Sequence, residues 1–284
     1  MSFKFACDLF KPEEANVIVF GVPIGNNSKK VLENLRKTSD DIETFDIDKR
    51  INLLDNVKIA DISNLKLNKL DDITKKTKAI LREKKIPLIL GGGHLISLYA
   101  MKAFENVKLI VFDAHCDLKD EYEDEKIKEL NFVKGIKFNS RVNDATWLRR
   151  GCEFINPKNV FLIGIRSCDE FEFGFIEKNG ISYATPNQIK NNTQELKEKL
   201  RRFVNGSRIY VSIDVDAFDP SVAPAVHHPE PNGLFVDEFN ELIDAFKNCE
   251  IVGLDLCCVK NSKDERTNFL AIRTIFEVLG LIKT

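Results

Sequence analysis

The chain has 284 residues, and its 42 Lys and Arg against 44 Asp and Glu leave a formal charge of −2. With 43% hydrophobic residues and only 14 Gly and 9 Pro, it is neither collagen-like nor disordered. The balanced charge leaves no electrostatic footprint for nucleic acid. Seven cysteines, an odd number with no CxxC pair, point to a reduced, cytoplasmic setting. No apolar run approaches the ~18 uncharged residues of a spanning helix, and the lysine-bearing opening lacks a signal-peptide layout, so no membrane partner is expected.

In chain order, β-rich runs fall at Asn16–Phe20, Val57–Ile62, Pro87–Leu90, Lys108–Asp113, Val160–Ile165, Ile181–Ala184, Arg208–Asp216 and Ile251–Cys257. PLILG, KLIVFD and VFLIGI are nearly unbroken Val, Ile, Leu and Phe, as in strands buried on both faces of a parallel sheet. Helical patterns lie between them at Asp71–Lys84, Leu95–Phe104, Thr185–Phe203, Val236–Phe246 and Glu265–Leu281. Alternation of this kind predicts an α/β fold, a three-layer α/β/α sandwich around a mainly parallel sheet of about eight strands. No linker or internal repeat divides residues 1–284, so one domain is expected. Glu121–Asn139, rich in Lys and Glu without an apolar stripe, reads as a solvated helix and loop, or as a lid over a site.

Three of these strand ends carry chemistry. Gly91-Gly-Gly93-His94 follows PLIL and opens a helix. It is not a dinucleotide turn, because Ile96 holds the third glycine position, nor a P-loop, which needs Gly-Lys-Ser/Thr. Asp113-Ala-His115-Cys-Asp117 follows KLIVF, and an extended chain would point Asp113, His115 and Asp117 to one side. Ser212-Ile-Asp214-Val-Asp216 repeats that alternation, while Asp219-Pro220 reads as a turn former. Two carboxylates side by side on a buried strand repel by about 4 kcal/mol at an effective dielectric of 20, so the pair calls for cations.

The chain has four histidines, His94, His115, His227 and His228. Two sit in these motifs and two follow the third closely. His94, Asp113, His115, Asp117, Asp214 and Asp216 together offer two imidazoles and four carboxylates, which balance two divalent cations. Oxygen-rich coordination with some imidazole suits manganese better than zinc, and two neighbouring metals activate water for attack.

These motifs resemble those of the ureohydrolase family, the arginase–agmatinase–formiminoglutamase group. GGGH is similar to its GGDH, DAHCD to its DAHxD and SIDVDAFDP to its SxDxDxxDP. The similarity extends through Gly21-Val-Pro23, IGIRS (Ile163–Ser167), PEPNGL (Pro229–Leu234) and VGLDL (Val252–Leu256). The resemblance implies an oligomeric α/β/α hydrolase with two Mn2+ per subunit. It implies attack of activated water on a guanidinium or formimino carbon, releasing urea or formamide. It also implies that His94, Asp117, Asp113 and Asp214 hold the first metal, and His115, Asp216 and the bridging Asp113 and Asp214 the second.

On the substrate side the sequence departs from that pattern. Gly93 replaces the aspartate of GGDH, and Asp144 in NDATWLRR stands where the family has a proton-shuttling histidine. Cys258 stands where it has a guanidinium-binding glutamate, and a thiol cannot pair bidentately with a guanidinium. Ala225-Val226-His227-His228 replaces a Gly- and Thr-rich stretch. The expectation is therefore an agmatinase-like hydrolase of linear amidines, with Asp144 or His227 delivering a proton and Cys258 and His228 facing the substrate. An acid among Glu121–Asp124 is a further candidate for holding the cation. Arginase, guanidinobutyrase or formiminoglutamase activity are the alternatives, as is a non-catalytic metal-binding member of the family. Cys116 and Cys257 read as packing residues.

Overall fold

The computed structural model describes residues 3–8, 10–25, 27–123 and 139–283. After β1 (Val17–Val22) come α1 (Ser28–Asp41), a small antiparallel pair β2 (Phe45–Asp46) and β3 (Ile51–Asn52), β4 (Ile59–Asn64) and α2 (Asp71–Arg82). Next are β5 (Ile86–Gly91), α3 (Leu95–Met101), β6 (Lys108–Phe112), α4 (Trp147–Gly151), β7 (Val160–Ile163) and α5 (Glu170–Asn179). The chain closes with β8 (Ser182–Ala184), α6 (Pro186–Val204), β9 (Arg208–Asp214), α7 (Val236–Ile243), β10 (Glu250–Cys257) and α8 (Arg266–Leu279).

Eight strands form one sheet in the order β4-β1-β5-β10-β9-β6-β7-β8, and every pairing in it is parallel. Parallel neighbours need crossovers, and the helices that supply them cover both faces. Leu32 and Leu35 of α1, Leu200 of α6, Leu242 of α7 and Phe276 of α8 pack on one face. Ile73 of α2, Leu98 of α3, Leu148 of α4 and Ile176 of α5 pack on the other. The eight predicted strands and the layered α/β fold are borne out. Among the described residues no helix is long and apolar enough to cross a membrane.

Three helices were not predicted: α1, the short α4 and α5. α5 reads EFEFGFIEKN, a period-2 alternation that imitates a strand. Its ends decide otherwise: Asp169 and Glu172 form a capping box, and Gly180 closes the helix in the left-handed region at φ 68°. α1 has a narrow apolar stripe of Val31, Leu32 and Leu35 in a polar sequence, which becomes decisive only against the sheet.

The strand ends also differ from the alternation read from the sequence. β6 stops at Phe112, and Asp117 takes a left-handed φ of 51°. β9 stops at Asp214, and Val215–Ala217 forms a 3-10 turn. The carboxylates converge through these turns, not by sharing one face of an extended strand. The physical reason is local: Asp113 Oδ1 accepts from His115 N at 2.7 Å and Asp214 Oδ1 from Asp216 N at 2.9 Å. Each acid thus captures the amide two residues on and bends the chain. Asp219 is a turn former as expected, accepting from Ser221 N and Gly233 N at 3.0 Å each. Of Glu121–Asn139, read as a solvated helix and loop or as a lid, residues 124–138 lie outside the described residues.

Candidate metal centre

The site lies at the carboxyl ends of β5, β10, β9 and β6, four neighbours at the middle of the sheet. Parallel sheets place ligand sites there because loops from adjacent strands open onto one crevice. His94 follows β5, Asp113 to Asp117 follow β6, Asp214 ends β9 and Cys258 follows β10.

The six predicted ligands gather into two groups joined by Asp113. His94 Nδ1 lies 2.9 Å from Asp113 Oδ2, 3.3 Å from Asp117 Oδ2 and 3.4 Å from Asp214 Oδ2. His115 Nδ1 lies 3.1 Å from Asp216 Oδ2 and 3.5 Å from Asp113 Oδ1. Asp113 therefore turns one oxygen to each group. His94, Asp113, Asp214 and Asp216 are almost wholly buried, whereas the His115 side chain keeps 25% of its exposure. The crevice opens on the His115 side.

A network that the sequence reading missed orients His94. Asp255, fully buried in β10, accepts from Ser212 Oγ at 2.8 Å, Ser97 Oγ at 2.8 Å and Tyr210 OH at 2.7 Å. Ser212 gives its single proton to Asp255, so its oxygen accepts from His94 Nε2, 2.8 Å away. That assigns the Nε2–H tautomer to His94 and leaves the Nδ1 lone pair facing three carboxylates. Nδ1 is buried and makes no aligned hydrogen bond. A bare lone pair there would gain nothing from the carboxylates: Nδ1 calls for a cation between, a proton or a metal ion, and the donor set fits a metal. Trp147 completes the setting: its ring packs 4.5 Å from that of His94, and its Nε1 donates to Asp117 Oδ2 at 2.8 Å. The available signal was an aspartate inside the apolar run VGLDLCC, opposite Ser212 in the β9–β10 register.

Electrostatics supports the same conclusion. Burial opposes a charge on His115, but Asp113 and Asp216 outweigh it and push the imidazole up to about 12. Burial and Asp113 push Asp117 up to about 7. Burial and the charges of Asp214 and Asp113 raise Asp216 well above its usual value. Burial opposes a charge on His94, but Cys257 and then Asp113, Asp117 and Asp214 hold its imidazole well above the usual value. Left to itself, the cluster retains protons to offset like charges, and divalent cations can replace those protons.

Around this core, Glu230 Oε1 lies 3.9 Å from His115 Nε2, and the His228 ring stands edge-on to His115 at 6.1 Å. His227 is exposed beside it, and partial desolvation together with His228 lowers its imidazole below the usual value. Cys258 adopts φ 66°, and its N–H donates to Gly92 O at 2.8 Å. The Cys257 and Cys258 thiols and a carboxylate oxygen of Asp214 lie within 4.8 Å of one another. Cys257 is buried core, as expected, but its Sγ also lies 3.7 Å from Asp214 Oδ2. Asp144 accepts from Leu95 N at 2.8 Å, and burial raises its carboxyl. Arg166 of IGIRS donates to the carbonyls of Gly164, Ala217, Asp216, Phe218, Glu230 and Pro231, tying the loops after β7 and β9 together. Of the candidate acids in Glu121–Asp124, Glu121 pairs with Arg141, and Asp124 lies outside the described residues.

The family model described as the arginase family matches residues 15–280. The chain belongs to the arginase family. Among its relatives, an agmatinase of Bacillus cereus is 30% identical over 95% of this chain and 93% of its own length. An N(1)-aminopropylagmatine ureohydrolase of Thermococcus kodakarensis is 29% identical over 98% of this chain and 95% of its own. The crystal structure of agmatine ureohydrolase of Thermoplasma volcanium superimposes with a TM-score of 0.81 at 26% identity, covering 99% of this chain and 94% of that one. This arginase-family chain is an agmatinase-like ureohydrolase, a hydrolase of C–N bonds in linear amidines, as the motifs led one to expect.

Proposed function

We propose that the protein hydrolyses agmatine to putrescine and urea at a binuclear manganese centre. The observation that carries this reading is the split of Asp113 between two ligand groups, each completed by one histidine and further aspartates. His94, Asp117, Asp113 and Asp214 would hold one ion, and His115, Asp216, Asp113 and Asp214 the other. Carboxylate and imidazole donors favour Mn2+. Bound there, a pair of divalent cations supplies Lewis acidity and a water deprotonated near neutral pH.

The chain's own residues supply orientation and proton handling. Asp255 and Ser212 hold the His94 ring in one tautomer, and Trp147 fixes both His94 and Asp117. His227, whose basicity is lowered by desolvation and by His228, is suited to take up a proton released by the attacking water and pass it to the departing amine. Cys258 and His228 line the substrate side. Agmatine is favoured because nothing in the sequence calls for an α-amino-acid head group, and because the Bacillus cereus relative is an agmatinase. A homo-oligomer in the cytoplasm is part of the same proposal.

The test is urea release by the full chain with added Mn2+ from agmatine, arginine and guanidinobutyrate, with formamide release from formiminoglutamate alongside. Agmatine should give the highest kcat/KM. Loss of a carboxylate at Cys258 favours the rival reading of a pocket closed to guanidinium. No turnover of any substrate, with two Mn2+ bound, would establish that rival.

A further inference from the structure

Gly93 precedes the ligand His94, and its φ lies outside the left-handed region, so the backbone itself would accept any L-residue. What excludes a side chain is Asp144. A Cβ on Gly93 would lie 2.6 Å from Asp144 Oδ2 and 2.7 Å from Oδ1, well inside van der Waals contact. That carboxylate is also the acceptor for the N–H of Leu95, the first residue of α3. It therefore touches the chain on both sides of His94.

The residue before Asp144 is anchored in turn. Asn143 accepts from Ala145 N at 3.1 Å, and its amide donates to the carbonyls of Tyr122, Asn139 and Ser140. The same short segment continues into Trp147, whose ring lies against His94. One segment thus presses on the His94 ring and holds the turn that carries it.

We propose that Asp144 is a positioning residue for His94, and that Gly93 and Asp144 act as one device. The missing side chain at 93 admits the carboxylate at 144 that sets the ligand's place. This rests on reading the centre as a metal site but not on any substrate. It also accounts for two departures from the family motifs at once, since an acid absent at 93 is present at 144 in the same space. An aspartate at 93 would reach the Leu95 N–H two residues on as an Asx turn, so either position can supply that acceptor.

The test is a double-mutant cycle on the full chain, read by Mn2+ titration calorimetry and by melting temperature. Asp144→Ala should weaken Mn2+ binding by about 10- to 100-fold, the usual cost of losing a group that orients a ligand. Asp144→Asn retains an acceptor oxygen and should recover most of the loss. Gly93→Ala should weaken binding alone, by expelling the carboxylate, yet add little on top of Asp144→Ala. The transplant Gly93→Asp with Asp144→Ala should restore most of the affinity. Additive losses for Gly93→Ala and Asp144→Ala would overturn the proposal. So would an Asp144→Ala enzyme with unchanged Mn2+ affinity, a lowered kcat and a missing limb in its pH–rate profile, which would make Asp144 a proton carrier. Because the readout is metal binding, a failure to find guanidine turnover would sink the agmatine reading and leave this result standing.

Discussion

Asp255→Ala is the most informative perturbation of the site, because it touches no metal ligand and yet removes what sets one. The aspartate is fully buried and accepts from three buried hydroxyls, those of Ser97, Tyr210 and Ser212. Ser97 and Ser212 lie 3.2 Å apart and can partly re-pair, which leaves Tyr210 and one serine without an acceptor. At about 1–3 kcal/mol for each buried donor left unsatisfied, the loss is about 2–6 kcal/mol. That is a large share of an ordinary domain's stability of about 5–15 kcal/mol, and it corresponds to about 5–15 °C in Tm for a chain of this size. Urea unfolding should be run in chelator, so that metal linkage does not contribute.

A second effect separates this account from plain destabilisation. Without Asp255, Ser212 no longer has a fixed acceptor and no longer holds its oxygen toward His94 Nε2, so the imidazole loses the contact that sets its tautomer and Nδ1 can carry the proton among the carboxylates. Mn2+ affinity should then fall by about 10- to 100-fold at temperatures where the variant is still folded. Asp255→Asn keeps the shape and one acceptor oxygen and sheds a charge whose carboxyl is raised by burial, so its stability loss should be smaller. An Asp255→Ala protein that unfolds within 1 kcal/mol of the parent and binds Mn2+ equally well would refute the reasoning.

Two further outcomes follow from the cluster. Asp117 is raised from 3.8 to about 7, so its contribution to stability fades as pH rises through that window; His115 is raised from 6.5 to about 12, so its contribution is complete below 6.5 and fades above it. Cations replace those protons, so the gain in Tm on adding Mn2+ should be larger at about pH 8.5 than at about pH 6; a gain that does not change with pH would count against the cluster. Asp113→Ala, which removes the carboxylate facing both groups, should abolish binding of two Mn2+, whereas Asp216→Ala should leave the His94 group able to bind one; equal stoichiometry in the two variants, measured by metal analysis, would rule out this division of labour.

Much of this was legible in the sequence because it is written locally. Unbroken apolar runs such as KLIVF and VFLIG suit strands buried on both faces, as in a parallel sheet, and their alternation with helical patterns points to the layered fold. Likewise GGGH, DAHCD and SIDVD lie at the ends of such runs, so their acids and imidazoles were candidates before any coordinates. What remained hidden depends on groups distant in the chain. Asp255 meets Ser212 and Tyr210 only through the β9–β10 register, and Trp147 reaches His94 only across the crevice. Motif order set Asp144 where the family has a shuttling histidine, but its closeness to Gly93 and its bond to Leu95 N were hidden, because motif order records position along the chain and not the space beside it. α5 was missed because its alternating Glu and Phe mimic a strand, and its capping contacts settle the matter only once formed.

The sequence alone determined which residue types stand at the ends of buried strands, because burial patterning and side-chain chemistry belong to each segment separately. The tertiary structure decided which oxygen faces which imidazole, which tautomer His94 holds and how closely Asp144 approaches residue 93. Those depend on ångström-scale separations between segments far apart in sequence, and no local rule encodes them.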